Sequence, residues 1–318
     1  MKRKPKRIAK TLSTYQLIEK FPNEPATIKY LESMLWKDGV VCPYCKGKEI
    51  SKKTRMHFYR CRECRKDFTV RVGTIFERSH IPLQKWMLAM YLIVTARKGI
   101  SSLQLSKEIG VRQSTAWFLG HRIREACGNQ IFEMMEGINE SDEVYIGGLE
   151  KNRHEWKKKN LGRGAVGKPA IFGVRNRNGN VRLKPVESTN KTALQGAIRQ
   201  FVKKGSTVYT DEHRSYQGLG EHYIHQTVHH SAKQYVDGMA HTNGIESVWA
   251  VLQRGFYGIF HSFSDKHRGS YANEFQFRFN EGNCSIDTVD RIDSLVKGVA
   301  GVRLTYNMLK SKQLEMVA

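Results

Sequence analysis

Two pairs of cysteines constrain this chain more than any other feature. Cys42 and Cys45 lie in VCPYCKGKEI, Cys61 and Cys64 in YRCRECRKDFTV, with fifteen residues between the pairs. Two-residue spacing lets both thiolates of a knuckle reach one tetrahedral Zn2+. The intervening stretch is long enough for a hairpin that brings the knuckles together. With all four ligand positions filled by cysteine, none is open for catalysis, so the metal supports folding. The expectation is a structural zinc ribbon over residues 36–80, against chance pairs or a redox motif. Tyr59 and Phe68 should cover its small sheet, and Gly47 and Lys48 should form the turn after the first knuckle. Cys127 and Cys284 stand alone and are expected to be buried as small hydrophobes. No secreted disulfide framework is present, which favours a reducing cytoplasm.

The 318 residues suffice for about two domains. Lys and Arg number 53 against 30 Asp and Glu, a net charge of +23. That balance points to a polyanionic partner, either nucleic acid or an acidic membrane surface. No run of 18 apolar residues occurs, so a membrane-spanning helix is excluded. A membrane-surface role also lacks a basic amphipathic helix with a clean apolar face. The start, MKRKPKRIAK, is basic without the apolar centre of a signal peptide. It reads as a solvated tail, a phosphate-contacting arm, or both, leading into helices up to residue 35. A second basic stretch, KNRHEWKKKNLGRGAVGK at 151–168, is polar, glycine-bearing and without period. It reads as a mobile surface loop whose Lys157, Lys158, Lys159, Arg163 and Lys168 suit a DNA backbone.

Residues 81–130 read as three helices. The first runs from Leu83 to Ala96, Ser101 or Ser102 caps a short second, and Gly110 and Val111 turn into a third from Gln113. A short helix, a glycine turn and a further helix form a helix-turn-helix pattern. In that geometry Arg112, Gln113 and Ser114 face the major groove of DNA. The alternative is an ordinary helical bundle with Ser114 as a cap.

Beyond residue 138 the pattern changes to short strands carrying acids. INESDEVYIGG holds Asp142 before an alternating run, and AIFGVRNRNGNVRLKPVEST reads as two strands joined by Asn178-Gly179. KTALQGAIRQFVKKG is an amphipathic helix, STVYTDEHRSY a strand ending in Asp211 before a further helix, and EHYIHQTVHH another strand. HTNGIESVWAVLQRGFYG then begins a helix near Glu246. This order fits a ribonuclease-H-like catalytic domain over 138–310, a mixed sheet flanked by helices. The whole is thus a multidomain α/β chain. In that fold three carboxylates meet at one end of the sheet, and their mutual repulsion calls for cations. Oxygen-only ligands suit Mg2+ or Mn2+, and two such ions suit phosphoryl transfer. Each acid also has a plain structural reading. Asn243 and Glu246 resemble a capping box, Asp142 can cap a turn, and Asp211 can cap the following helix. Ile245, Trp249 and Leu252 make one apolar face, with Glu246 and Gln253 on a neighbouring one.

SDEVYIGG, VYTDEHRSY, HTNGIESVWAVLQRGFYGIFH and YANEFQFRFN together resemble bacterial insertion-sequence transposases of the DDE type, in particular the ISXO-like group with an N-terminal zinc ribbon. The resemblance covers nearly the whole chain. It implies that Asp142, Asp211 and Glu246 are the metal-binding triad, with Asp211 and Glu246 thirty-five positions apart. It implies cleavage at the inverted repeats that end a mobile element, followed by transfer of the freed 3′-hydroxyl to target DNA. It also implies a homo-oligomer, at least a dimer, holding two ends, in the cytoplasm on the nucleoid. Relatives often read LKRG where this chain reads LQRG, so Gln253 stands in place of Lys. Arg254 is a neighbouring cation, though one position turns the helix about 100°; Asn243 can assist. Two further readings stay open: a zinc-ribbon and helix-turn-helix regulator with an inactive catalytic domain, and a ribonuclease-H-like nuclease that cuts without joining.

Overall fold

The computed structural model describes residues 8–147, 156, 170–228 and 241–311. The chain divides into two compact units, Met1–Gln130 with Glu281–Ala318, and Ile131–Asn280. In the first, Ser13 and Gln16 form a capping box that starts α1 (Thr14–Lys20). Asn23 accepts from the Ala26 N–H and starts α2 (Glu24–Leu35). The ribbon follows as a three-stranded antiparallel sheet in the order β1 (Ile50–Lys52), β2 (Tyr59–Cys61), β3 (Asp67–Phe68). Next comes α3 (Leu83–Thr95), apolar on most of its circumference, with Trp86, Met87, Met90, Tyr91 and Ile93 all buried. α4 (Ser102–Ile109) is capped by the Ser101 hydroxyl and ends at Gly110, whose φ of 62° is the left-handed conformation glycine adopts freely. α5 (Gln113–Gly128) follows directly. Leu119 and Ile123 are buried as expected, and Trp117 is half-buried.

The second unit carries a five-stranded sheet in the order β6-β5-β4-β7-β8. Its strands are β4 (Ile138–Tyr145), β5 (Ala170–Asn176), β6 (Val181–Val186), β7 (Thr207–Thr210) and β8 (Ile224–Thr227). β4 is central. It pairs antiparallel with β5, which pairs antiparallel with β6, and parallel with β7, which pairs parallel with β8. The β5–β6 turn uses Gly179 at φ 107°. Strand alternation divides the sheet between two cores. Phe172, Val174 and Val208 pack with Leu194, Ala197 and Ile198 of α6 (Lys191–Phe201). Val144, Ile171 and Leu183 pack with Ile245, Val248, Trp249 and Leu252 of α7 (Asn243–Gly255) and with Ala272 and Phe275 of α8 (Arg268–Phe279). Tyr271 and Phe275 are buried, and Phe279 partly so. The helix expected after Asp211 is instead two single turns, Arg214–Tyr216 and Leu219–Glu221. Gly218, at φ 90°, stops helical propagation between them.

Two expectations about boundaries change. Residues 1–130 group in one unit rather than three, and the segment after Asn280 returns to that unit instead of closing the sheet domain. α9 (Thr288–Lys297) buries Ile292, Leu295 and Val296 and packs against α2, α3 and α5. The Arg291 guanidinium donates to the Val94 carbonyl at 2.9 Å and to the Thr288 hydroxyl at 2.7 Å. A short α10 (Tyr306–Lys310) follows. An amphipathic stripe says that a helix needs a core, but not which core. Cys127 is buried, while Cys284, expected inside, is exposed. No helix among the described residues is long and apolar enough to cross a membrane.

Candidate functional site

Three candidate sites emerge. In the ribbon, the thiols of Cys42, Cys45, Cys61 and Cys64 lie within 4.8 Å of one another. That is the donor set of a structural Zn2+. Burial opposes ionisation of Cys42, but the N–H groups of Cys45 and Tyr44 prevail and lower its thiol to about 7. The sharp turns fall one residue earlier than the sequence suggests. Lys46 and Arg65, each following the second cysteine of its knuckle, take φ of 63° and 58°. Tyr59 and Phe68 do cover the metal site, stacked at 5.8 Å with Trp36 edge-on.

At the start of α5, Arg112, Gln113 and Ser114 are all exposed, with Arg112 at the N-cap. Ser114 makes no capping bond; the helix start has no side-chain cap at all. Lys157, Lys158, Lys159, Arg163 and Lys168, with nearly all of the basic loop, lie outside the described residues.

The acids gather on the central strand. Asp142 lies within β4, as the sequence order implies, and faces α7. Its Oδ2 accepts the Trp249 indole N–H at 2.9 Å. Its cross-strand partner is Gly173. A Cβ on Gly173 would stand 2.4 Å from the Trp249 ring, so only glycine lets the indole lie across β5 to Asp142. Asp211 follows the last residue of β7, the strand beside β4, and its Oδ1 accepts the His213 N–H at 3.1 Å. Burial first, then the Glu143 and Asp211 charges, push the Asp142 carboxyl up to about 7. Glu143 is likewise raised by burial and by Asp211, against the Tyr216 hydroxyl that donates to it at 2.7 Å. The charges of these carboxylates oppose one another's ionisation, although Asp142 and Glu143 leave opposite faces of β4. The oxygen donors fit Mg2+ or Mn2+.

Glu246 is exposed on the first turn of α7 and accepts from the Thr242 hydroxyl at 3.0 Å. The capping-box alternative fails, because Thr242 is the N-cap and Asn243 is already helical. Asn243, Gln253 and Arg254 are all exposed on the same helix. Asp142, Asp211 and Glu246 do not close into one ligand group: among the described residues, only the four cysteines form a group of three or more metal-ligating side chains that close together. Sequence reasoning missed Glu143 and Glu140. Their only advance signal was the run E-S-D-E, which alternation sends to both faces of one strand.

The second unit coincides with a match to the ISXO2-like transposase domain over residues 134–280, and the ribbon region with the transposase zinc-ribbon domain over 22–67. The chain belongs to this family of insertion-sequence transposases. A similar chain, described as an uncharacterized protein in transposable element ISH50 of Halobacterium salinarum, is 28% identical over 275 residues, covering 82% of this chain and 92% of its own. An uncharacterized transposase-like protein of Haemophilus influenzae is 30% identical over 114 residues, 36% of this chain and 90% of its own. No solved structure matches the chain.

Proposed function

We propose that this protein binds the terminal inverted repeats of its own insertion sequence, cuts there, and joins the freed ends to target DNA. The observation that carries this reading is the strand arrangement. A central β4 bearing Asp142, antiparallel to β5 and parallel to β7, places Asp211 at the end of the adjacent strand. Burial, Glu143 and then Asp211 raise the Asp142 carboxyl, and the helix carrying Glu246 is bonded to Asp142 through Trp249. This order supports the ribonuclease-H-like reading of the unit, with Asp142, Asp211 and Glu246 as the acidic triad.

The triad would hold two Mg2+ or Mn2+ ions, which supply charge neutralisation and activation of the attacking oxygen. Both chemical steps are in-line displacements at phosphorus. In the first, a water oxygen bonds to phosphorus, the bond to the 3′-oxygen breaks, and that oxygen leaves as a hydroxyl after taking a proton. In the second, this hydroxyl bonds to a target phosphorus, loses its proton, and displaces the other target oxygen. Arg112, Gln113 and Ser114 would read the repeat from the start of α5, in a helix-turn-helix of α4 and α5. Lys157, Lys158, Lys159, Arg163, Lys168 and Arg254 would contact phosphates, and Asn243 and Gln253 would assist beside Glu246. Two ends held together call for at least a dimer, acting in the cytoplasm on the nucleoid.

The test uses a labelled element-end fragment, a target plasmid, and Mg2+ or EDTA, beside Asp211→Asn. Metal-dependent cleavage and joining, lost in the variant, is the expected result. One feature favours a second reading, a DNA-binding regulator: this chain has the uncharged Gln253 where the family resemblance implies lysine. End binding with no cleavage in either metal would establish that reading instead. Cleavage without joining would mark a nuclease.

A further inference from the structure

Glu140 is buried on the same face of β4 as Asp142, two positions away, with 3% of its surface exposed. Its Oε2 accepts the Ile245 N–H at 3.0 Å, at the start of α7. Its Oε1 lies 3.4 Å from Arg177 Nε and 3.3 Å from His241 Nδ1. The carboxylate comes this close only because residue 244 is glycine: a Cβ there would stand 2.5 Å from Oε2. Arg175 also ties the turn down, donating to the Gly244 carbonyl and, at 2.6 Å, to the Ser247 hydroxyl.

The two bonds from β4 to α7 match in spacing. Residues two apart on a strand lie about 6.6 Å apart along it, and residues four apart on a helix rise about 6 Å. Glu140 and Asp142 therefore meet Ile245 and Trp249 without stretching either element. Glu246 lies between those two anchors. A slip of α7 by one residue would break both bonds and turn Glu246 about 100° away from its present heading.

We infer that Glu140 and Trp249 are positioning residues that lock the register of α7 on β4, and thereby set where Glu246 stands relative to Asp142. Glu140 does this as the acceptor for the helix's first turn, not as a metal ligand. Trp249 does it as the N–H donor that also orients the Asp142 carboxylate, seated on the bare backbone of Gly173. The inference rests on the triad reading above.

The test measures Mn2+ binding to the zinc-loaded full-length protein by electron paramagnetic resonance, with the thermal midpoint recorded for every variant. Asp142→Asn is the control for the triad reading. If it leaves Mn2+ binding unchanged, the metal centre itself is misplaced, and the positioning roles fall with it. Given a loss in that control, Trp249→Phe keeps the ring and removes the donor. It is expected to weaken Mn2+ binding about five- to tenfold, with the thermal midpoint close to wild type. Glu140→Ala is expected to weaken it by at least about tenfold, and Glu140→Gln, whose amide oxygen still accepts from Ile245, to restore it to within about threefold. Hydrogen exchange at the Ile245 amide should quicken in Glu140→Ala and recover in Glu140→Gln. Binding unchanged in both Trp249→Phe and Glu140→Ala, with fast Ile245 exchange absent in Glu140→Ala, would overturn the inference. So would an equal loss in Glu140→Gln and Glu140→Ala with one fewer Mn2+ bound, which would make Glu140 a ligand.

Discussion

At the scale of single residues, burial and neighbouring charge oppose ionisation of Asp142 and Glu143 on β4. The Asp142 carboxyl has an ordinary value of 3.8 and is raised to about 7, by burial first and then by neighbouring carboxylates. A folded-state value above the unfolded one means the group's favourable contribution is whole below pH 3.8 and is lost as pH rises towards 7. Asp142→Asn is therefore expected to stabilise the metal-free protein at about pH 8 by roughly 1–2 kcal/mol after solvent screening. That advantage should vanish at about pH 4, where the native acid is already neutral. Urea titrations at the two pH values measure it, and an equal effect at both would contradict the account. Gly173 makes a second prediction. Gly173→Ala forces a methyl into the Trp249 ring, and overpacking of this kind costs about 1–3 kcal/mol in the unfolding free energy. Its near-ultraviolet circular dichroism should change as the indole shifts, whereas Gly196→Ala, inside α6 where a Cβ meets nothing within 4 Å, should leave that signal alone and raise the unfolding free energy by about 0.5–1 kcal/mol.

At the scale of elements, the strand β6 shows how a sheet edge is closed. Its outer backbone groups are taken by α8. The Val181 N–H donates to Asn280 Oδ1 and the Leu183 N–H to Gln276 Oε1, each at 2.8 Å, while Asn280 Nδ2 returns a bond to the Val181 carbonyl. An unpaired edge is a template for association with other chains. Asn280→Ala should cost about 1–3 kcal/mol by leaving buried groups unpaired, and sedimentation should reveal concentration-dependent association beyond that of wild type. The ribbon is a contrasting element, with sheet strands of only two or three residues. Such a sheet has little core of its own and relies on the metal. A strong chelator should release the amides of β1 to β3 to fast hydrogen exchange while those of β4 and β5, buried in a separate unit, stay protected. Simultaneous loss in both sheets would show that their folding is coupled.

At the scale of the whole molecule, the charge of +23 should govern DNA affinity. Six to ten phosphate contacts imply a loss of about a thousandfold or more between roughly 50 and 200 mM salt. Arg112→Ala should lower affinity for the element end more than for unrelated DNA if α5 reads bases, and equally for both if it touches phosphate alone. Much of this chain was readable without coordinates because its signals are local. Four cysteines at knuckle spacing, an Asn-Gly turn, a glycine between two helices and the stripe Ile245, Trp249, Leu252 each act over a few residues. The structure bears out the ribbon's aromatic cover and the helix boundaries near Leu83 and Gln113. What stayed hidden depends on pairing between distant segments. Alternation in β4 announces two faces but not which helix meets each, so Glu140 and Glu143 carried no distinguishing mark. An amphipathic α9 does not name its core, and the return of residues 281–310 to the first unit followed only from which apolar surface lay open to it. The sequence by itself determined the metal-stapled ribbon and the polyanion-seeking charge, because composition and short spacing suffice for these, whereas the choice of Asp142, Asp211 and Glu246 among the acids came from the resemblance. Only the tertiary structure decided that Asp142 meets Trp249 over Gly173 and that Glu140 holds the start of α7. Such contacts exist only once strand register brings residues about a hundred positions apart within hydrogen-bond reach.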